Sequence, residues 1–265
     1  MMANSIYFET SNLNGTVVIG KERMMKKVKR FFLAGLLLVG ATAAWAQDEI
    51  ETTVSGVVVS SYIWRGQDLG DVSLQPTLGV SYKGLSLTAW GSVGLTDPLD
   101  TKEFDLTLSY TTGGLNIGIT DYWFDAMDGG DPDGRYFRYN AHSTNHVFEA
   151  NIGYDFGFAS LQWYTNFAGN DYKVKDGKRA YSSYVEVAVP FKLSAIDWTA
   201  TVGAVPFASD AYNDGTSGFA VSDVSLKATK DIKITDTFSV PVFGQIAANP
   251  CTQHAYLVFG FTLQP

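Results

Sequence analysis

Three histidines (His142, His146, His254) and one cysteine (Cys251) are the chain's whole supply of imidazole and thiol. The stretch Ala141-His142-Ser143-Thr144-Asn145-His146 sets imidazole beside hydroxyl. Acyl transfer uses that pair when histidine takes the proton of a serine nucleophile. Neighbours on an extended chain point to opposite faces, so His142 and Ser143 would not meet there. His142 and Thr144 would share a face, but threonine is a poor substitute. A second candidate is the loop Asp128-Gly129-Gly130-Asp131-Pro132-Asp133-Gly134, whose Asp128, Asp131 and Asp133 could offer oxygens to a calcium ion. EF-hand spacing is missing and no Glu closes the loop, so these are weak metal candidates and a solvated acidic loop is favoured. One cysteine excludes an internal disulfide framework and a Cys-based zinc site. Neither a phosphate-cradling glycine loop nor a His-Glu-x-x-His motif occurs. The reading is that the chain is not an enzyme and carries no cofactor.

The remaining charges follow another logic. Asp105 sits between Phe104 and Leu106, Glu149 between Phe148 and Ala150, and Glu186 between Val185 and Val187. Asp197 opposes Trp198, while Asp223 and Lys227 oppose Val224 and Leu226. On a strand the apolar parity takes one face and the charges take the other. A charge facing lipid costs roughly 2–4 kcal/mol near mid-membrane, so these groups should point into an interior. Asp105, Glu149, Glu186, Asp197, Asp223 and Lys227 are therefore candidate pore-lining residues. Arg65, after Tyr62 and Trp64, joins them as a constriction or as a site for an anionic headgroup. The favoured reading of Arg65 is a rim arginine stacked on an aromatic ring and paired with Asp68 or Asp71.

Such residues require strands to carry them. No segment beyond residue 46 keeps apolar residues at helical spacing for three turns, whereas two-residue alternation recurs. Val72–Tyr82 and Phe104–Tyr110 alternate, and Leu257, Phe259, Phe261 and Leu263 make one apolar face. Twelve strands are expected near 53–64, 72–82, 85–95, 103–112, 115–124, 145–156, 158–168, 180–190, 195–207, 219–229, 237–248 and 254–263. Tight turns at Lys83-Gly84, Gly113-Gly114, Phe156-Gly157, Ser194 and Thr235-Asp236 alternate with long polar links at 65–71, 96–101, 126–136, 170–178, 209–218 and 249–253. Segments of this length, short turns on the side of the termini, and aromatic residues at segment ends fit an up-and-down transmembrane barrel. The fold class is thus all-β, a twelve-stranded antiparallel barrel. A secreted β-sandwich also alternates, but its polar face should carry more Lys and Glu than this one. Pro76 fits a closed ladder poorly and is expected to mark a bulge near the outer rim.

Composition agrees. Of 265 residues, 46% are hydrophobic, 14% aromatic and only 17% charged, which excludes a disordered chain. Net charge is −8, and no dense Lys/Arg cluster lies outside the N-terminus, so a nucleic-acid partner is excluded. Lys26, Lys27, Lys29 and Arg30, an uncharged run from Phe31 to Ala44, and Ala44-Trp45-Ala46 form a secretory signal. Signals begin at the initiator, so Met24 or Met25 is the expected start. Residues 1–23 then read as a misassigned upstream start, 24–46 as signal peptide and 47–265 as the barrel. No lipobox cysteine precedes the mature start, which speaks against a lipoprotein.

Ser60-Ser61-Tyr62-Ile63-Trp64-Arg65-Gly66, then Ser73-Leu74-Gln75-Pro76, then Ala89-Trp90-Gly91-Ser92, resemble the TorF-type porin family of bacterial outer-membrane β-barrel proteins. The match covers 60–92; beyond it only the general barrel pattern is shared. The resemblance implies an outer-membrane barrel with a pore and does not by itself establish transport. The expected function is passive diffusion of small hydrophilic solutes, neutral or cationic, with outer-membrane lipid as partner and a homo-oligomer as an option. Twelve strands lie between filled eight-stranded barrels and open porins of 16–18 strands. A closed structural or small-ligand-binding barrel is therefore the alternative, and an outer-membrane lipid hydrolase the third reading. The C-terminus ends Phe261-Thr262-Leu263-Gln264-Pro265, without the terminal Phe common in such barrels.

Overall fold

The computed structural model describes residues 50–97, 100–173, 175–209, 211–212 and 218–265. The signal peptide and upstream start expected at 1–46 lie outside the described residues. In chain order the strands are β1 (Ile50–Val59), β2 (Tyr62–Trp64), β3 (Gln67–Gly70), β4 (Ser73–Tyr82), β5 (Leu85–Gly94), β6 (Glu103–Thr112) and β7 (Leu115–Phe124). They continue as β8 (His146–Asp155), β9 (Ser160–Gly169), β10 (Ser183–Leu193), β11 (Ile196–Val205), β12 (Ala220–Lys233), β13 (Ser239–Asn249) and β14 (His254–Leu263). Twelve of them, all but β2 and β3, pair antiparallel with their sequence neighbours and close into a barrel through β1 and β14.

The polarity of this barrel is inverted relative to a water-soluble fold. Leu257, Phe259 and Ile246 are 59%, 57% and 60% exposed on the outer surface, where a sandwich would have buried them. The alternate residues, among them Glu149, Asn166 and Asp223, are buried inside. Period-two alternation on a closed sheet admits no other division, since each one-residue step changes face.

Departures from ideal register fall at identifiable residues. β8 and β9 shift between Phe148 and Glu149, and β11 and β12 shift between Gly203 and Ala204. Pro76 makes no bulge, contrary to expectation. The β4–β5 partnership runs Leu74↔Val93 and resumes at Thr77↔Trp90 with its register unchanged. The missing proline N–H interrupts the ladder without displacing it.

The first strand is shorter than the sequence suggests. It ends at Val59, and 60–64 are not its continuation. Ser60 turns the chain: its N–H donates to the Phe259 carbonyl at 2.8 Å, and its hydroxyl accepts from the Phe259 N–H at 2.9 Å. The chain then enters the barrel as a hairpin, β2 paired to β3, with Trp64 opposite Gln67. Its two-residue turn has Arg65 at φ 51° and Gly66 at φ 77°, the left-handed pair of a type I′ turn. Gly66 is required here, because a Cβ would sit 1.9 Å from the Ser222 carbonyl oxygen.

The long link after β7 folds back over the outer wall. The Tyr136 ring lies 5.7 Å from Phe104, 5.5 Å from Trp123 and 5.1 Å from His146. Asp131 holds this loop together. Its carboxylate accepts from Arg135 Nε at 2.8 Å and from Arg138 Nη1 at 3.0 Å, and Asn145 Oδ1 accepts from its N–H. The Arg135 guanidinium holds the Asp131 carboxyl well below the usual carboxylate range.

A carboxyl whose folded-state value is depressed stabilises fully above the ordinary carboxylate range, and loses that contribution only as pH falls through the depressed value. The protection of the Asp133 and Arg135 amides, taken relative to their intrinsic exchange rate at each pH, should therefore hardly change between about pH 7 and about pH 4. Asp131→Asn should speed tryptic cleavage after Arg135 and Arg138 at neutral pH. An unchanged cleavage rate would show that the loop does not depend on this carboxylate.

Candidate functional site

The hairpin turn delivers Arg65 to the barrel interior, not to the rim. Its guanidinium pairs with Glu149 on β8 through two bonds, Nη1 to Oε2 at 2.6 Å and Nη2 to Oε1 at 3.0 Å. Nη1 also donates to the Tyr212 hydroxyl at 2.6 Å, and that hydroxyl donates to Glu149 Oε2 at 3.0 Å. The Tyr122 hydroxyl donates to Glu149 Oε1 at 2.9 Å. Rings enclose the cation: its centre is 4.2 Å from Trp64, 4.0 Å from Tyr164 and 4.7 Å from Tyr184. The expected partners Asp68 and Asp71 are replaced by Glu149, because the hairpin folds inward and carries Arg65 away from its sequence neighbours. The expected aromatic stacking is present.

Arg65 and Glu149 are both nearly inaccessible to water. Buried ions persist only when paired and hydrogen-bonded. Each carboxylate oxygen here receives at least two bonds, and the flat guanidinium faces suit aromatic walls. Left-handed backbone at a non-glycine residue costs about 1–2 kcal/mol, and at Arg65 the ion pair with Glu149 offsets it.

Two further groups of acids line the interior. Glu103 and Asp105 stand on β6, each 7% exposed, and Asp105 lies opposite Trp90 of β5. The Tyr62 ring packs 5.6 Å from Trp90. Across the barrel, Glu186 on β10, Gly203 on β11 and Asp223 on β12 form a row of register partners. Gly203 leaves room for the Tyr184 ring, whose hydroxyl would be 1.8 Å from a Cβ there. Lys227, also on β12, lies 4.1 Å above the Phe243 ring centre. Asp197 stands apart from the others. It pairs with Lys192 at 3.1 Å across the short turn after β10, and both are well exposed.

The histidine-rich stretch builds no hydrolytic centre among the described residues. His142 stacks on Tyr172 with ring centres 3.9 Å apart. His146 faces outward beneath the 126–145 loop, with Nδ1 2.7 Å from Asp121 Oδ1 and Nε2 bonded to the Tyr136 carbonyl. No hydroxyl of the described residues reaches either imidazole. Among the acidic-loop candidates, Asp131 is engaged by two guanidinium groups, Asp133 pairs with Arg135 at 3.4 Å, and no cluster suited to a metal ion occurs among the described residues.

Glu103, Tyr122, Tyr164, Tyr184 and Tyr212 belong to this interior, a place the sequence reading did not assign to them. Glu103 shares its parity with Asp105 and could have been found from it. A hairpin could have been read from Arg65-Gly66 between two short alternating runs. Nothing local marks the tyrosines, which lie on separate elements.

No family model matches this chain, and no curated protein does. A solved structure described as a porin refined at 1.8 Å aligns over 82% of this chain and 100% of its own, at 12% identity and a TM-score of 0.36. A structure from work on in-meso crystallization of membrane proteins aligns over 80% of this chain and 83% of its own, at 7% identity and a TM-score of 0.37.

Removing one partner of a buried ion pair should cost about 3–5 kcal/mol, since the other charge is left uncompensated. Glu149→Gln and Arg65→Met should each lower the urea midpoint of the refolded barrel. The double variant Arg65→Met/Glu149→Leu should lose less than the sum of the two losses. Strict additivity would show that the two side chains act independently.

Proposed function

We propose that this chain is an outer-membrane β-barrel through which small hydrophilic solutes, neutral or cationic, diffuse passively past the hairpin. The observation that carries the reading is the inverted polarity of the closed sheet, apolar outside and charged inside. An exterior bearing Leu257, Phe259 and Ile246 matches hydrocarbon, and in hydrocarbon only a closed sheet satisfies its backbone. The secretory signal read at 24–46 and the likeness of 60–92 to TorF-type porins support the outer membrane as location, with its lipid as partner. A homo-oligomer of barrels is compatible with this reading. No catalysis is assigned.

Charge balance supports the solute class. Asp105, Glu149, Glu186 and Asp223, together with Glu103, outnumber Arg65 and Lys227 in the lumen. Rings of carboxylates favour cations over anions. Arg65 is cancelled by Glu149, which leaves the surplus acids on β6, β10 and β12 to set the field. Asp197 contributes at the rim.

A second reading, a closed structural or ligand-binding barrel, is favoured by one observation: the hairpin occupies the interior and is locked to the wall by the Arg65–Glu149–Tyr212 network. Planar-bilayer recording separates the two. A pore should show discrete steps, a cation-selective reversal potential in a KCl gradient, and larger steps in Arg65→Ala. Glu186→Gln with Asp223→Asn should reduce the selectivity. Silence from wild type and from Arg65→Ala would favour the closed barrel.

The membrane reading has its own check. Ile246→Lys places a charge on the outer face and should cost roughly 2–4 kcal/mol in lipid vesicles. A neutral effect there would remove the support that the outer face gives to a bilayer setting.

A further inference from the structure

The hairpin divides the lumen unequally. Arg65 and the acids stand on the side of β6 to β10, and Asp223 lies at the far end of β12. Against the wall formed by β12, β13, β14, β1 and β4, the hairpin borders a half-open cavity of about 270 Å³ with a different character. Among the described residues Lys227 supplies its one cationic group, and no carboxylate lies within ion-pairing distance of it. The side-chain amides of Gln75 and Gln245 border the same space, and neither is hydrogen-bonded to protein among the described residues. Val59, Val258 and Phe243 give that same wall apolar surface beside the Thr229 and Thr262 hydroxyls, and Ile63 faces it from the hairpin.

We propose that this cavity is a binding site for a small monocarboxylate with an apolar body. The argument is complementarity. A half-buried ammonium that lacks a carboxylate partner among the described residues favours a ligand bringing one negative charge. Amide N–H groups without acceptors suit the second carboxylate oxygen. The apolar surface of Val59, Val258, Phe243 and Ile63 rewards an alkyl or small aryl body, and among the described residues no second cationic group lines the space to meet a second negative charge. The volume lies near the lower limit of ligand pockets, which selects fragment-sized acids over larger ones. An alkylammonium would place like charge beside Lys227 and is excluded. The proposal goes beyond the passage reading and does not need an open lumen, since the site stands between hairpin and wall.

The test uses the full mature barrel refolded in nanodiscs and read by NMR titration with carboxylate-labelled hexanoate, with empty nanodiscs as blank. Saturable hexanoate binding is expected, with hexanol much weaker and hexylammonium without saturable binding. Lys227→Met should weaken hexanoate by about ten- to a hundredfold, as expected for loss of a charge-assisted contact, and Lys227→Arg should retain most of it. Electrophoretic mobility before and after boiling verifies that each variant is folded. No saturable binding to the folded wild type, equal binding to Lys227→Met, or equal binding of hexylammonium would each overturn the proposal. Should Lys227→Met fail to fold, the wild-type preference for hexanoate over hexylammonium decides alone, and a ratio near one overturns it. The readout is binding, so silence in bilayer recordings would refute passage and leave this result standing.

Discussion

A sheet twelve strands wide ends in two rows of unpaired backbone groups, and in this chain those rows meet at the seam between β1 and β14. The seam is short, running from Gly56↔Leu263 to Val59↔Gly260. Ser60 extends it by giving its N–H to Phe259 and accepting the Phe259 N–H on its hydroxyl. Every other feature depends on this closure. It separates two faces along each strand, turns Leu257 and Phe259 outward, and gathers the alternate side chains into one enclosed space.

Enclosure changes what charge means. On an open surface Arg65 and Glu149 would form an exposed pair of little energetic consequence. Inside the barrel they are cut off from water, so each requires the other, and Tyr122 and Tyr212 complete the carboxylate's bonds. The same enclosure makes the hairpin a structural partition. It draws the paired charges toward β8, β9 and β10 and leaves Lys227 on the opposite wall. The passage and the ligand site proposed above therefore draw on separate parts of one lumen.

Much of the fold was legible before any coordinates. Three strands, 103–112, 115–124 and 254–263, have the bounds read from alternation, and the tight turns lie where Gly and short polar pairs marked them. The inward facing of Asp105, Glu149, Glu186 and Asp223 followed from the parity of their apolar neighbours. Three readings failed for one shared reason. Residues 60–64 alternate well enough to prolong β1, Arg65 has acids nearby at Asp68 and Asp71, and Pro76 is a poor ladder residue. Each inference used local pattern, and each outcome was decided by a distant element. Phe259 ends β1, Glu149 captures Arg65, and the continuous β1–β4 ladder holds Pro76 in register. The folding of the 126–145 loop over the outer wall escaped notice similarly, since it depends on Phe104, Trp123 and His146 together.

The sequence by itself determined the strands, their polarity and the alternation of short and long connections. Those properties repeat every two residues or every hairpin, and local backbone geometry expresses them without help. Only the tertiary structure decided that the first long link enters the barrel, that Arg65 meets a glutamate 84 residues away, and that Lys227 is left beside a cavity. The reason is that burial of charge is a property of the closed wall. Whether a charged group is solvated or must find a partner is settled only when strands far apart in sequence shut out water.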